Sequence, residues 1–271
     1  MAQLLKKETP EITVDTLAPP YSDYGFFENC DQLPFRYQAN MFTMVNAWWL
    51  IEASTLVYAD PQIAIETFKQ QAGFTEVVYF EEKVTQCFVA SNDKFAIVAF
   101  RGSEARLRKG DPNPGYIYAD WLANFNFLPE EWDFGGKVHR GFKAAVSEVW
   151  DELENHLTKL QQNNLKIWVT GHSLGAALAT LAAHRYGNVQ GLYTFGSPRV
   201  GDQDFKNNFN INTYRFVNNS DVVTKVPPSN MYRHVGELRY IDSDGLIHDN
   251  TNRWERWSDE IQGKFKNVFS A

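Results

Sequence analysis

Apolar and polar positions in this chain fall into blocks whose spacing changes along its length. QANMFTMVNAWWLIEASTLVYAD, residues 38–60, runs without Gly or Pro and stops at Asp60-Pro61, which predicts a long, mostly buried helix. A shorter helix is expected over PQIAIETFKQQAG. FTEVVYF, TQCFVASN and KFAIVAF then form short runs rich in β-branched and aromatic residues, separated by the turn-prone pairs Glu82-Lys83 and Asn92-Asp93, and these predict a meander. Further on, FKAAVSEVWDELENHLTKL sets Val146, Val149, Leu153, Leu157 and Leu160 on one stripe, the mark of an amphipathic helix. LKIWVTG reads as a buried strand. An apolar helix, the strand VQGLYTFG, the short helix DQDFKNNF, the strand TYRFVN, a VPP turn, the hairpin HVGELRYIDSDGLIH and a last amphipathic stretch from about Asn250 to Ser270 complete the pattern.

Helix and strand alternate through the middle of the chain, so the expected fold class is α/β, with a mainly parallel central sheet and helices on both faces. Residues 1–37 are rich in Pro, Asp and Tyr and lack periodicity; they are expected to form an extended N-terminal arm on the surface of a single domain spanning 38–271. At 271 residues and 44% hydrophobic content, a core of that size is well supplied.

Charge changes the picture by exclusion. Lys and Arg number 26 against 33 Asp and Glu, a net of −7, with no basic block that would suit nucleic acid. Cys30 and Cys87 have neither CxxC nor Cys/His spacing, so half-buried thiols are expected rather than a disulfide framework or a zinc site. Nothing in the pattern asks for a cofactor or a metal. No run of apolar residues is long enough to predict a transmembrane segment, and the first twenty residues lack an apolar leader core, so a cytoplasmic location is the default expectation.

The apolar run IWV stops at Gly171-His172-Ser173-Leu174-Gly175 and resumes as Leu174, Leu178 and Leu181 at helical spacing. A serine hydroxyl becomes a useful nucleophile only when it is held within reach of a base and kept out of backbone hydrogen bonds. A sharp strand-to-helix turn does this: the flanking glycines make room for it, and the new helix turns its free N–H groups toward any oxyanion formed there.

With that context, VTGHSLGAALATLAA, AIVAFRGSE, DWLANFNF, KVHRGF, YTFGSPRVGD and FVNNSDVVTKVPP together resemble the class 3 lipases of the α/β-hydrolase superfamily, the group that contains the fungal triacylglycerol lipases. The resemblance covers roughly residues 40–245 in order. It implies an α/β-hydrolase fold and a serine carboxylic-ester hydrolase, a lipase, acting on an acyl ester or lipid substrate through an acyl-enzyme on Ser173. It also implies that Asp221 orients the base, and that the backbone N–H groups of Leu174 and Ser103 hold the oxyanion. Arg101 and Asp120 are given no role.

The base is where the chain departs from the family, whose catalytic histidine lies later, after a further helix. His172 is adjacent to the nucleophile, His139 and His234 match positions that are not the family's base, and His156 and His184 fall on helices. His248 is the one candidate that remains, and the alternative is that the base has been lost from a truncated or fragmentary chain. The second possibility carries its own functional reading, a catalytically silent hydrolase-fold protein that binds lipid or a partner. Residues 104–120 stand where the family keeps its lid. They read either as a lid that touches a lipid surface transiently or as an irregular loop with no gating role.

Overall fold

Phe95–Phe100 (β3) shows why the sheet must be covered on both sides. Phe95, Ile97 and Ala99 join the core on one face, Ala96, Val98 and Phe100 join it on the other, and all are buried. Strands of this kind read as continuous apolar runs and belong to the interior of α/β sheets. The computed structural model describes residues 24–102, 127–219 and 221–249. The remainder, which includes Ser103, the segment 104–120 and the last amphipathic stretch, lies outside the described residues.

Among the described residues the main sheet has eight strands. These are β1 (Glu76–Glu82), β2 (Thr85–Ser91), β3, β6 (Lys166–His172), β7 (Gly191–Phe195), β8 (Thr213–Asn218), β9 (Glu237–Ile241) and β10 (Ile247–Asp249), in that spatial order. β3, β6, β7, β8 and β9 run parallel, and antiparallel pairs close the two edges. β4 (Pro129–Glu131) and β5 (Lys137–His139) form a separate two-stranded ribbon. The meander and the late hairpin are both present as the pattern predicts.

Helix α1 (Met44–Leu56) lies on one face. Its start is fixed by the Thr43 hydroxyl, which accepts the Asn46 N–H at 3.1 Å, and its Trp49, Leu50, Ala53 and Leu56 pack with Phe88, Ile97 and Trp168 of the sheet. α2 (Pro61–Gln70) follows, with Pro61 in its first turn. The other face carries α3 (Arg140–Glu148), α4 (Trp150–Gln162) and α5 (Leu174–Tyr186), which pack on Val89, Val98, Val169 and Leu192; α6 (Gln203–Asn208) is a short element beyond β7.

Two expectations are corrected here. The single amphipathic helix expected over 142–160 is two, because Val149 leaves helical geometry at φ −101°, ψ 1°. The stripe survives the break, with all five of its apolar residues buried, and the bend seats the Trp150 ring under the Arg185 guanidinium at 4.5 Å. The described part of the expected surface arm, residues 24–37, does more than lie on the surface: Phe26, Phe27, Leu33 and Phe35 insert into the core while Glu28, Asn29, Asp31, Gln32, Pro34 and Arg36 stay exposed. The Trp49 indole donates to the Leu33 carbonyl at 2.7 Å, and the buried Glu52 carboxylate accepts from the Phe27 N–H at 2.9 Å and from the Tyr24 hydroxyl. An irregular segment can bury aromatics in this way once turns and a buried acceptor satisfy its backbone.

Phe35 tests that correction, since its ring meets those of Trp49, Phe95 and Trp168. Phe35→Ala is expected to cost about 3–5 kcal/mol in urea denaturation. A surface-arm residue would cost less than about 0.5 kcal/mol.

Candidate active site

β6 ends at His172 and α5 begins at Leu174, so Ser173 alone makes the turn. It does so at φ 56°, ψ −126°, a conformation that L-residues rarely adopt and that costs on the order of 1–3 kcal/mol. The two glycines are explained by what a side chain would strike. A Cβ on Gly171 would lie 2.3 Å from the Gly175 carbonyl oxygen, and a Cβ on Gly175 would lie 2.3 Å from that of Phe100. The Ser173 N–H donates to the Phe195 carbonyl at 3.0 Å and ties the turn to β7. Leu174 is the first residue of α5, so its N–H has no carbonyl one turn back within the helix and remains a donor at the positive end of the dipole.

Asp221 stands just beyond β8, two strands along the same carboxyl rim. Its N–H donates to the Asn218 carbonyl at 3.0 Å, and the Val223 N–H donates to its Oδ1 at 2.9 Å. Oδ2 reaches back over the intervening strand: a Cβ on Gly196 would lie 2.7 Å from it and 3.6 Å from Nε2 of His172. Gly196, at φ 58°, thus keeps open the space between the elbow and the carboxylate. Burial raises the Asp221 carboxyl above its ordinary range, opposed by the Val223 and Thr224 N–H groups and by Lys225.

His172 is held neutral. Burial pushes its imidazole down to about 4, and its Nδ1 lies 3.2 Å from the Tyr58 hydroxyl. Sequence reasoning passed over both Tyr58 and Gly196. Gly196 had a readable signal, a glycine closing the apolar run GLYTF, whereas Tyr58 is one aromatic among many at the end of a helix.

His248 is not brought to the nucleophile. It pairs with Tyr240 on the edge strand β10, four strand spacings from β6, or roughly 19 Å. Its Nε2 is hydrogen-bonded to Asp242 Oδ2 at 2.5 Å, within its own hairpin. Other histidines have their own partners: His139 Nδ1 caps α3 by accepting from Phe142 N–H, His184 sits between the Trp132 indole and the Asn208 carbonyl, and His234 bonds the Thr224 carbonyl. Ser103 lies outside the described residues, but the turn it follows packs on the elbow, since a Cβ on Gly102 would lie 2.8 Å from the His172 carbonyl oxygen. Of the thiols, Cys87 is fully buried and Cys30 partly so, both free. The described residues contain no group of metal-ligating side chains, and no helix among them is long and apolar enough to cross a membrane.

A serine at positive φ between a parallel strand and a helix, with a carboxylate on the same rim, is the nucleophile elbow of the α/β-hydrolase fold. The model of the class 3 lipase family, Lipase (class 3), matches residues 97–231. The chain is similar to the secreted mono- and diacylglycerol lipase 1 of Fusarium solani, 38% identical over 143 residues, which are 49% of this chain and 43% of that protein. Among solved structures it is similar to the native propeptide complex of Rhizomucor miehei lipase, with a TM-score of 0.58 and 27% identity over 76% of this chain and 71% of that one. A triacylglycerol lipase whose catalytic centre is a serine protease triad matches with a TM-score of 0.55 and 26% identity, over 80% and 82% of the two chains. The chain spans less than half the length of the Fusarium relative. That relative is a secreted lipase, which overturns the cytoplasmic expectation; the expectation had rested only on not seeing a leader, and a missing pattern does not determine a compartment.

The buried Asp221 charge has a measurable consequence. Because the folded carboxyl titrates above its unfolded value, its contribution to stability is fully present below about pH 3.8 and is lost as pH rises through the folded value. Asp221→Asn removes that charge and keeps an acceptor for Val223. The variant is expected to melt a few degrees above the parent at pH 7, with the gap closing as pH approaches 4. A lower melting temperature at pH 7 would mean that the charge is stabilised by more than its burial costs.

Proposed function

We propose that this chain carries the hydrolytic centre of a serine carboxylic-ester hydrolase, a lipase, with acylglycerols or other acyl lipids as substrates. The observation that supports this most directly is Ser173 at φ 56°, ψ −126°, directly before the N-terminus of α5. In the proposed reaction Ser173 Oγ attacks the ester carbonyl carbon and its proton passes to a base beside Asp221 Oδ2, an imidazole that none of the described histidines supplies and that added imidazole would stand in for. The oxyanion accepts from the N–H groups of Leu174 and Ser103. The ester C–O bond breaks, the imidazolium proton goes to the leaving alkoxide, and water then repeats the sequence on the acyl-enzyme. A single oxyanion donor of this kind is worth about a hundredfold or more in turnover.

His248 is not proposed as the base, because its hydrogen bond to Asp242 and its distance along the sheet keep it from both Ser173 and Asp221. Residues 104–120, where Leu107, Tyr116, Ile117 and Tyr118 lie among charges, are proposed as the lid, in transient contact with a lipid surface. Against the silent-module reading, which rests on the missing base, stands the strained serine fenced by two sterically obligatory glycines, a feature that a protein that only bound lipid would not need.

A fluorophosphonate probe and p-nitrophenyl butyrate test the proposal, each with and without added imidazole. Labelling confined to Ser173, with hydrolysis abolished by Ser173→Ala and unchanged by His248→Ala, is the expected result. No labelling under either condition would overturn it.

A further inference from the structure

The stretch VVTKVPP, which follows Asp221 directly, cannot satisfy its own backbone. Val223–Lys225 is a 3₁₀ turn, in which each carbonyl accepts from the N–H three residues on: the Lys225 N–H donates to the Val222 carbonyl at 3.0 Å, and the Val226 N–H to that of Val223 at 3.3 Å. The next bond in the series would end on the Thr224 carbonyl. Position 227 is Pro, however, and so is 228, the donor that an α-helical turn would use; proline has no N–H to give. Thr224 is buried, where an unmet carbonyl is costly. His234 supplies the donor from ten residues away, with its Nε2 2.9 Å from the Thr224 carbonyl oxygen. A carbonyl has no proton of its own, so the ring carries one on Nε2.

Thr224 is also the residue that steadies Asp221. Its hydroxyl donates to the Asp221 main-chain carbonyl at 2.9 Å, and its N–H, together with that of Val223, favours the charged carboxylate. His234 in turn stands on fixed backbone. Arg233 bridges to Gly201: its N–H donates to the Gly201 carbonyl at 2.6 Å, and its carbonyl accepts from the Val200 N–H at 3.3 Å. Val235, on the other side, is buried in the core. Burial, with the charges of Arg215, Arg199 and Lys206, keeps the imidazole neutral. One rigid support therefore reaches the carboxylate loop through a single hydrogen bond, at the one carbonyl that the two prolines leave without a local donor.

Building on the hydrolase reading above, we propose that His234 is a positioning residue: it supplies the donor that Pro227 and Pro228 cannot, and through Thr224 it sets the place of the Asp221 carboxylate. It does not touch the reacting atoms. His234→Phe keeps a ring and removes the donor, whereas His234→Gln keeps an amide N–H in place of Nε2. In ¹³C NMR the Asp221 carboxyl should titrate higher in His234→Phe than in the parent, because the Thr224 N–H that favours its charge is no longer held, and should return to the parent value in His234→Gln. With imidazole added, the fluorophosphonate labelling rate and kcat should fall about tenfold in His234→Phe at unchanged KM and recover in His234→Gln, as expected for one hydrogen bond that orients the site without binding substrate. Nitrogen NMR of ¹⁵N-histidine in the parent gives a check that needs no variant to fold: His234 should be neutral at pH 7 and protonated at Nε2. A proton on Nδ1 instead, an Asp221 titration and labelling rate that His234→Phe leaves at the parent values, or a His234→Gln no better than His234→Phe would each overturn the assignment. A parent chain that is never labelled, with or without imidazole, would overturn the hydrolase reading, and the Asp221 titration would still decide for or against His234.

Discussion

The approach of the Gly175 backbone to the Phe100 carbonyl is the contact on which the rest of the site depends. It brings the first turn of α5 against the carboxyl end of β3, so that the elbow and the backbone of Arg101 and Gly102 are packed together. A methyl group there would meet backbone on the facing strand, which cannot swing away as a side chain could. The strain in Ser173 follows from this contact, because no relaxed residue reverses the chain so tightly. The strain is held by what lies behind it. Ala176, Ala177, Leu178, Ala179, Leu181 and Ala183 of α5 are all buried, and burial of a single leucine, worth about 1.5–3 kcal/mol, already matches the cost of the turn.

A second constraint is electrostatic and works against stability. Asp221 must keep a charge in a place that disfavours charge, and the N–H groups of Val223 and Thr224 with nearby Lys225 only partly offset its burial. The loop that holds it is secured from the far side by Arg199, whose guanidinium donates to the carbonyls of Lys225 and Pro227 and whose N–H donates to Val226 at 2.7 Å. This gives the block YTFGSPRVGD a physical meaning: Gly196 opens the gap beside the carboxylate, and Arg199 fixes the loop that carries it. Destabilised charges of this sort are common where a site is built for reaction instead of for packing.

The features legible in the sequence were those set by local pattern. Apolar runs of strand length, the glycine-fenced serine and the helical spacing after it place the central strands and the elbow within a residue or two, because each is decided by neighbours along the chain. Asp221 was legible only through a block resemblance, since an aspartate after a strand is an ordinary turn residue. Where the reading failed, contacts between distant segments had decided the outcome. Val149 breaks a helix whose stripe runs on unbroken, because Trp150 has a seat beneath Arg185. Residues 24–37 are aperiodic and still anchor Phe26, Phe27, Leu33 and Phe35 in the core, where Glu52 and Trp49 of α1 satisfy the Phe27 N–H and the Leu33 carbonyl. Tyr58 meets His172 across more than a hundred positions, a distance no spacing rule spans.

His248 shows the same limit from another side. Its sheet partners run from Tyr240 on β9 to Val217 on β8, which places it at nearly the height of the elbow, so its depth in the sheet was not the error. Lateral position excludes it: each strand inserted between β6 and β10 adds a spacing that an imidazole cannot span, and strand order is a property of tertiary pairing. The turn chemistry of its hairpin gives it a different task, since Asp242 accepts from the Asp244 and Leu246 N–H groups with one oxygen and holds His248 with the other. Over Gly196 the structure leaves a space that His172 borders on one side and Asp221 on the other. The absent side chain at 196 keeps that space open, because a Cβ there would lie 2.7 Å from Asp221 Oδ2 and even the smallest side chain would crowd the carboxylate.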